Sequence, residues 1–171
     1  MSRTKVGVIS LGCSKNLVDT EVMLGHLDRA GCAFVQDPDD ADVLIVNTCG
    51  FIDAAREESV RTILEAAKLK TTGRLKRLVV AGCMVQRYRD ELTQELAGDV
   101  DAFVGLDELS AIVEATQAGL PAPEPAPSVR NELPMFRAAG PVPGAVASRL
   151  SRYLYDAATP RTLATLSLIH I

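Results

Sequence analysis

No stretch of 18 or more apolar residues occurs in the 171-residue chain, so no segment of it reads as a membrane-spanning helix. Basic residues are not in excess. Lys and Arg total 18 against 22 Asp and Glu, a net charge of −4, which argues against a nucleic-acid binder with a basic face. Neither GxGxxG nor GxxxxGK followed by Ser or Thr is present, and this disfavours a stand-alone nucleotide-binding domain. Asp37, Asp39, Asp40 and Asp42 form an acidic turn without the spacing or glycine of an EF-hand, and they read as a solvated turn. The opening MSRTKVGVIS has no long apolar region and no small-residue cleavage site, so it is not a secretory signal and a cytoplasmic protein is expected. No internal repeat is visible.

What is present is an ordinary globular mixture, 47% hydrophobic and 23% charged, divided unevenly along the chain. Only Pro38 lies before Pro121; the other eight prolines lie at or beyond it. Residues 1–119 carry a charge balance of −6 and residues 120–171 one of +2. The expected organisation is a folded unit over 1–119, then an extended proline-rich linker over 120–150, where proline removes backbone donors and favours polyproline structure.

Within 1–119, short apolar runs at residues 6–11, 33–35, 42–47, 77–81 and 102–104 read as strands. Helical stripes are expected at 17–30, capped by Asn16 and stopped by Gly31, and at 53–69, with Val60, Ile63, Leu64 and Ala67 on one face. Further helices are expected at 86–96 and at 106–117, the last started by Asp107 and closed by Gly119. This alternation predicts an α/β fold, a mainly parallel open sheet with helices on both faces, Rossmann-like. The near-continuous apolar VLIV and LVV fit strands buried on both sides.

Three of the four cysteines occupy equivalent places. Cys13, Cys49 and Cys83 each follow a predicted strand, and each has a neighbouring glycine, Gly12, Gly50 and Gly82. Strand-to-helix loops of a parallel sheet lie at its carboxyl edge, where open α/β folds bind ligands. Glycine permits close approach of the backbone to a bulky group, and clustered thiolates bind soft metals or iron–sulfur clusters. A disulfide would leave one of the three thiols over. Spacing does not decide between zinc held by three cysteines and a water and a three-cysteine iron–sulfur cluster with one iron open. Cys32 follows the helix stop Gly31 and leads into a strand, which puts it at the amino edge as a buried small residue.

SLGCSKNLVDTE (10–21), NTCGFIDAAREES (47–59) and GCMVQRYRDEL (82–92) together resemble the amino-terminal domain of the radical-SAM methylthiotransferases. The resemblance covers about residues 5–165, and it implies that 151–165 begin the radical-SAM domain and that the closing LSLIHI (166–171), which matches nothing in the family pattern, is foreign to it. Leu11, Lys15, the following NLVD and Gly50-Phe51-Ile52 resemble the branch that modifies an aspartate of small-subunit ribosomal protein S-twelve, with the tRNA-adenosine branch as the alternative. The resemblance implies that Cys13, Cys49 and Cys83 ligate an auxiliary 4Fe-4S cluster whose open iron takes the sulfur to be transferred. It also implies a barrel with a CxxxCxxC motif, whose second 4Fe-4S cluster cleaves S-adenosylmethionine. The reaction replaces a C–H bond by C–SCH3 on the aspartate β-carbon. No cysteine follows Cys83, so CxxxCxxC is absent from these residues and the expected entity is a part of the enzyme, not competent alone. Neither membrane nor direct nucleic-acid contact is expected. The reading from another class is a non-catalytic zinc- or metal-binding interaction module.

Asn16 and Asn47 stand beside the cysteines, where they either orient loops and donate hydrogen bonds to cluster sulfur or simply cap a helix and end a strand. Lys15, Arg87, Arg89 and His26 read as surface residues, with the arginines paired to neighbours such as Asp90 or Glu91.

Overall fold

The structure, a computed structural model, describes residues 3–73 and 75–120. The expected linker, the start of a further domain and the tail lie outside the described residues, apart from Leu120. Five strands form one sheet: β1 (Lys5–Ser10), β2 (Ala33–Phe34), β3 (Val43–Thr48), β4 (Arg77–Gly82) and β5 (Ala102–Val104). Their order is β2-β1-β3-β4-β5 and every pairing is parallel. The helices are α1 (Ser14–Arg29), α2 (Asp53–Thr71), α3 (Cys83–Leu96) and α4 (Ile112–Gln117), the last preceded by a 3-10 helix over Leu106–Ala111.

Alternation along the strands divides the core into two layers, because successive side chains point to opposite faces. Leu44, Val46, Leu78 and Val80 face Ile63, Ala66 and Ala67 of α2 and Leu92 and Leu96 of α3. Val6, Val8, Val43, Ile45, Val79 and Ala81 face Val22, Met23, Leu24 and Leu27 of α1, together with Leu109 and Ile112. All six residues of β3 are buried, as a central strand covered on both sides requires. The expected α/β class is therefore the observed one, in the doubly wound order 2-1-3-4-5.

Four local expectations are corrected. The first helix begins at Ser14 with Cys13 at its cap, so Asn16 lies inside the first turn and does not cap it. The third begins at Cys83, directly after β4, because Gly82 adopts φ 103° and turns the chain without a loop. The last splits at Glu108, whose φ −123° and ψ 26° are not helical, and Gly105 rather than Asp107 precedes it. On α2, Leu64 is exposed, and Ala66 and Ala67 occupy the buried face beside Ile63. Gly31 and Gly119 do stop their helices, with φ 82° and 80°. Among the described residues no helix is long and apolar enough to cross a membrane.

Candidate functional site

β1, β3 and β4 are neighbours in the sheet, and each delivers one cysteine to the carboxyl edge. Cys13 caps α1, Cys49 opens the short segment before α2, and Cys83 is the first residue of α3. Cys13 is exposed, Cys83 half-buried and Cys49 buried. Cys13 and Cys49 flank the boundary between β1 and β3, the point where connections leave in opposite directions and where sheets of this order bind ligands.

The flanking glycines interlock the three segments. A β-carbon on Gly12, itself at φ 97°, would stand 2.6 Å from Cys49 Cβ and 2.9 Å from its Sγ. One on Gly50 would stand 2.8 Å from Met84 Cα. One on Gly82 would stand 2.3 Å from Asn47 Oδ1 and 2.5 Å from the Thr48 carbonyl oxygen. The close approach expected of these glycines is thus an approach of one cysteine-bearing segment to the next.

Beneath the cysteines lies a buried polar network of neutral groups. Asn16 donates from Nδ2 to the carbonyls of Leu11 (2.8 Å) and Thr48 (2.9 Å), and its Oδ1 accepts from Cys83 Sγ at 3.3 Å. Asn47 donates from Nδ2 to the Asn16 carbonyl (2.9 Å) and to Thr20 Oγ1 (2.8 Å). Thr48 Oγ1 donates to the Ala81 carbonyl at 2.6 Å. Asn47 Oδ1 is buried without a partner, which marks this edge as polar beyond what the backbone requires. The amide donors of both asparagines are directed at protein oxygens and not at a sulfur.

Ser59 escapes sequence reasoning. It is fully buried on α2, accepts from the Cys49 N–H (3.2 Å) and donates to the Cys49 carbonyl (3.0 Å). The available signal was its place four residues before Ile63 and seven before Ala66, a polar residue in the buried stripe.

Electrostatics distinguishes the thiols. The Asn16 backbone N–H, then that of Lys15, draws the Cys13 pKa below its ordinary value against the opposing effect of burial. Burial pushes Cys83 up, with the Lys15 charge opposing and Cys49, Asp19 and Cys13 adding to the rise. Lys15 is not simply solvated: its Nζ pairs with the buried Asp19 carboxylate at 2.7 Å. Burial alone would lower the Lys15 pKa; Asp19 outweighs it, assisted by Cys83 and Cys13, and holds it above the ordinary value. Arg89 pairs with Glu108 across to the neighbouring 3-10 helix rather than with Asp90 or Glu91, and Arg87 is exposed. His26 is half-buried, which lowers its pKa. Cys32 lies apart, 1% exposed at the amino edge, its carbonyl bonded by Arg3.

Among the described residues no three His, Cys, Asp or Glu side chains already stand together as a metal-holding group. The donor chemistry nevertheless suits a soft, thiophilic centre: three thiols stand just beyond the ends of adjacent strands, and one of them, Cys13, has a lowered pKa.

Residues 5–105 match the model of the uncharacterized protein family UPF0004. Three curated relatives carry the name ribosomal protein uS12 methylthiotransferase RimO. The protein from Solibacter usitatus is 47% identical over 161 residues, covering 94% of this chain and 29% of the relative. That from Natranaerobius thermophilus is 54% identical over 116 residues, 68% of this chain and 26% of the relative. That from Symbiobacterium thermophilum is 58% identical over 110 residues, 64% of this chain and 22% of the relative. The chain thus spans less than a third of the length of each of these relatives.

Proposed function

This chain belongs to the uncharacterized protein family UPF0004 and is similar to the amino-terminal part of radical-SAM methylthiotransferases, and on that premise we propose that its carboxyl edge is the auxiliary cluster site of such an enzyme. Cys13, Cys49 and Cys83 hold a 4Fe-4S cluster. When bound, that cluster supplies an iron without a protein ligand, open to the sulfur group destined for transfer. The chain's own residues prepare the place. Ser59 fixes the Cys49 backbone, Asn16 joins the three cysteine-bearing segments while Cys83 still carries its proton, and Lys15 offsets negative charge once the thiols have given up theirs. The observation that carries the reading is the convergence of three glycine-flanked cysteines from adjacent parallel strands on one edge, over a buried polar network.

The substrate we propose is an aspartate of small-subunit ribosomal protein S-twelve, in the cytoplasm; the names of the relatives support the ribosomal protein uS12 as the target. S-adenosylmethionine cleavage and a second 4Fe-4S cluster require a CxxxCxxC motif, which these 171 residues do not contain, so they do not complete the reaction alone.

Anaerobic reconstitution with iron and sulfide tests the site. A brown chain with about four irons is expected, reduced to a trace in Cys49→Ala and retained in Cys32→Ala. A colourless product, iron binding untouched by Cys49→Ala, or stoichiometric zinc without iron would overturn the cluster reading.

A further inference from the structure

Asn16 is 0% exposed, yet it is a polar side chain in the first turn of a helix that packs on the sheet. Burying a carboxamide is unfavourable unless its hydrogen-bonding groups find partners, and a leucine of similar size would bury more apolar surface. Asn16 meets that demand in one particular way. Its two N–H donors reach the Leu11 carbonyl, two residues before Cys13, and the Thr48 carbonyl, one residue before Cys49. Its one acceptor oxygen takes the Cys83 thiol. The three partners come from segments 5, 32 and 67 residues away in sequence. One planar group thus touches the approach to two of the cysteines and the sulfur of the third.

The orientation of the carboxamide is determined. Two carbonyl acceptors demand the N–H end, so only the oxygen is left for Cys83. The group is itself anchored from behind, because the Asn16 carbonyl accepts from Asn47 Nδ2 and from Thr20 Oγ1, both at 2.9 Å. Rotating or shifting Asn16 would break bonds to β1, β3 and α3 together.

We propose that Asn16 is a positioning residue that keeps the three cysteine-bearing segments in common register, so that loss of its carboxamide frees Cys83 from Cys13 and Cys49 without unfolding the sheet. This rests on the cluster reading only for the purpose the register serves. Residue-resolved alkylation of the anaerobic, metal-free chain with iodoacetamide is the test, with Cys32 as the internal reporter of folding. In Asn16→Ala, Cys83 is expected to react about five- to tenfold faster, the equivalent of one hydrogen bond lost, while Cys32 stays protected. An unchanged Cys83 rate with Cys32 protected overturns the proposal. Should Cys32 become reactive as well, the unchanged chain decides by NMR. The Asn16 carboxamide protons are expected to exchange with solvent on the order of a hundredfold more slowly than those of an exposed asparagine. Exchange as fast as an exposed amide overturns the proposal. Iron loading separates the two readings. A wild-type chain that takes up no iron removes the cluster while alkylation still decides Asn16. A wild-type chain that loads iron beside an Asn16→Ala chain with unaltered Cys83 reactivity and equal iron removes the role of Asn16 alone.

Discussion

The two edges of the sheet are tied by different chemistry. At the amino edge the ties are ionic and reach solvent. Asp42, just before β3, accepts from the Lys5 N–H at 3.0 Å and pairs with Lys76 at 2.8 Å. Asp101, just before β5, accepts from the Leu78 N–H at 2.7 Å and pairs with Lys70 at 2.8 Å. At the carboxyl edge ion pairs are present too, Lys15 with Asp19 and Arg89 with Glu108, but the ties that join the cysteine-bearing segments are neutral carboxamides and hydroxyls sealed from water, between segments packed so closely that only glycine fits. Exposed ion pairs hold weakly and tolerate displacement. Buried neutral networks fix geometry, and they are costly to break because any group left unpaired stays unpaired. The amino edge therefore closes the sheet, and the carboxyl edge sets positions.

That contrast can be broken most forcefully at glycine. Gly82→Ala and Gly73→Ala both impose a β-carbon on positive φ, but among the described residues nothing outside the adjoining chain lies within 4 Å of a β-carbon at Gly73. Gly82→Ala is expected to cost about 3–5 kcal/mol, from backbone strain plus the collision with Asn47 and Thr48. Gly73→Ala should cost about 1–2 kcal/mol, from strain alone. Urea unfolding of the two variants measures the difference, and equal losses would remove the crowding argument. Next in size is Ser59→Ala, which leaves the Cys49 N–H and carbonyl without partners in a buried place. About 1–3 kcal/mol of stability should be lost by thermal unfolding.

Thiol reactivity sharpens the comparison further. Cys13 has a lowered pKa and is exposed; Cys83 is raised by burial; Cys32 is raised by burial and covered. As pH rises from neutral, Cys13 should reach full reactivity before an unperturbed thiol and Cys83 after one. At neutral pH the Cys13 rate should exceed that of Cys32 by more than about tenfold. The smallest effect lies at the ionic edge. Burial alone would raise the Asp42 pKa, but Lys76 and the Lys5 backbone outweigh it and hold it below the ordinary carboxylate value. Its stabilising contribution is thus complete above the unfolded carboxylate pKa and disappears as pH falls through the lower, folded value. Asp42→Asn should cost about 0.5–1 kcal/mol at neutral pH and almost nothing in acid, read from unfolding midpoints against pH.

Much of the fold was legible because its signals are local. VLIV and LVV announce buried strands, and the stripe Met23, Leu24 and Leu27 announces α1. The edge shared by Cys13, Cys49 and Cys83 follows from counting strands, since parallel connections return each strand end to the same side. Asn16 reads equally as a helix cap or as an orienting group, because a polar residue before an apolar stripe fits both. Its actual partners lie in other strands, and no local pattern reveals them. Ser59 gives only one local sign, its place in the buried stripe of α2, and its partner Cys49 lies outside that stripe. The apolar pattern starts α3 only at Gln86, because Gly82 replaces a whole loop with one residue and the helix begins at Cys83.

That missing loop has a consequence for anyone who alters the chain's length. A single residue inserted between β4 and α3 would advance the helix by about 100° and swing Cys83 off the edge it shares with Cys13 and Cys49. Between β3 and α2 four residues, Cys49 to Ile52, separate strand from helix, and Phe51 there is 79% exposed. Grafts, tags and loop redesigns therefore belong in that second joint, beyond Gly50, at the exposed Phe51 and Ile52, where added chain can bulge into solvent. The first joint has no slack to absorb them.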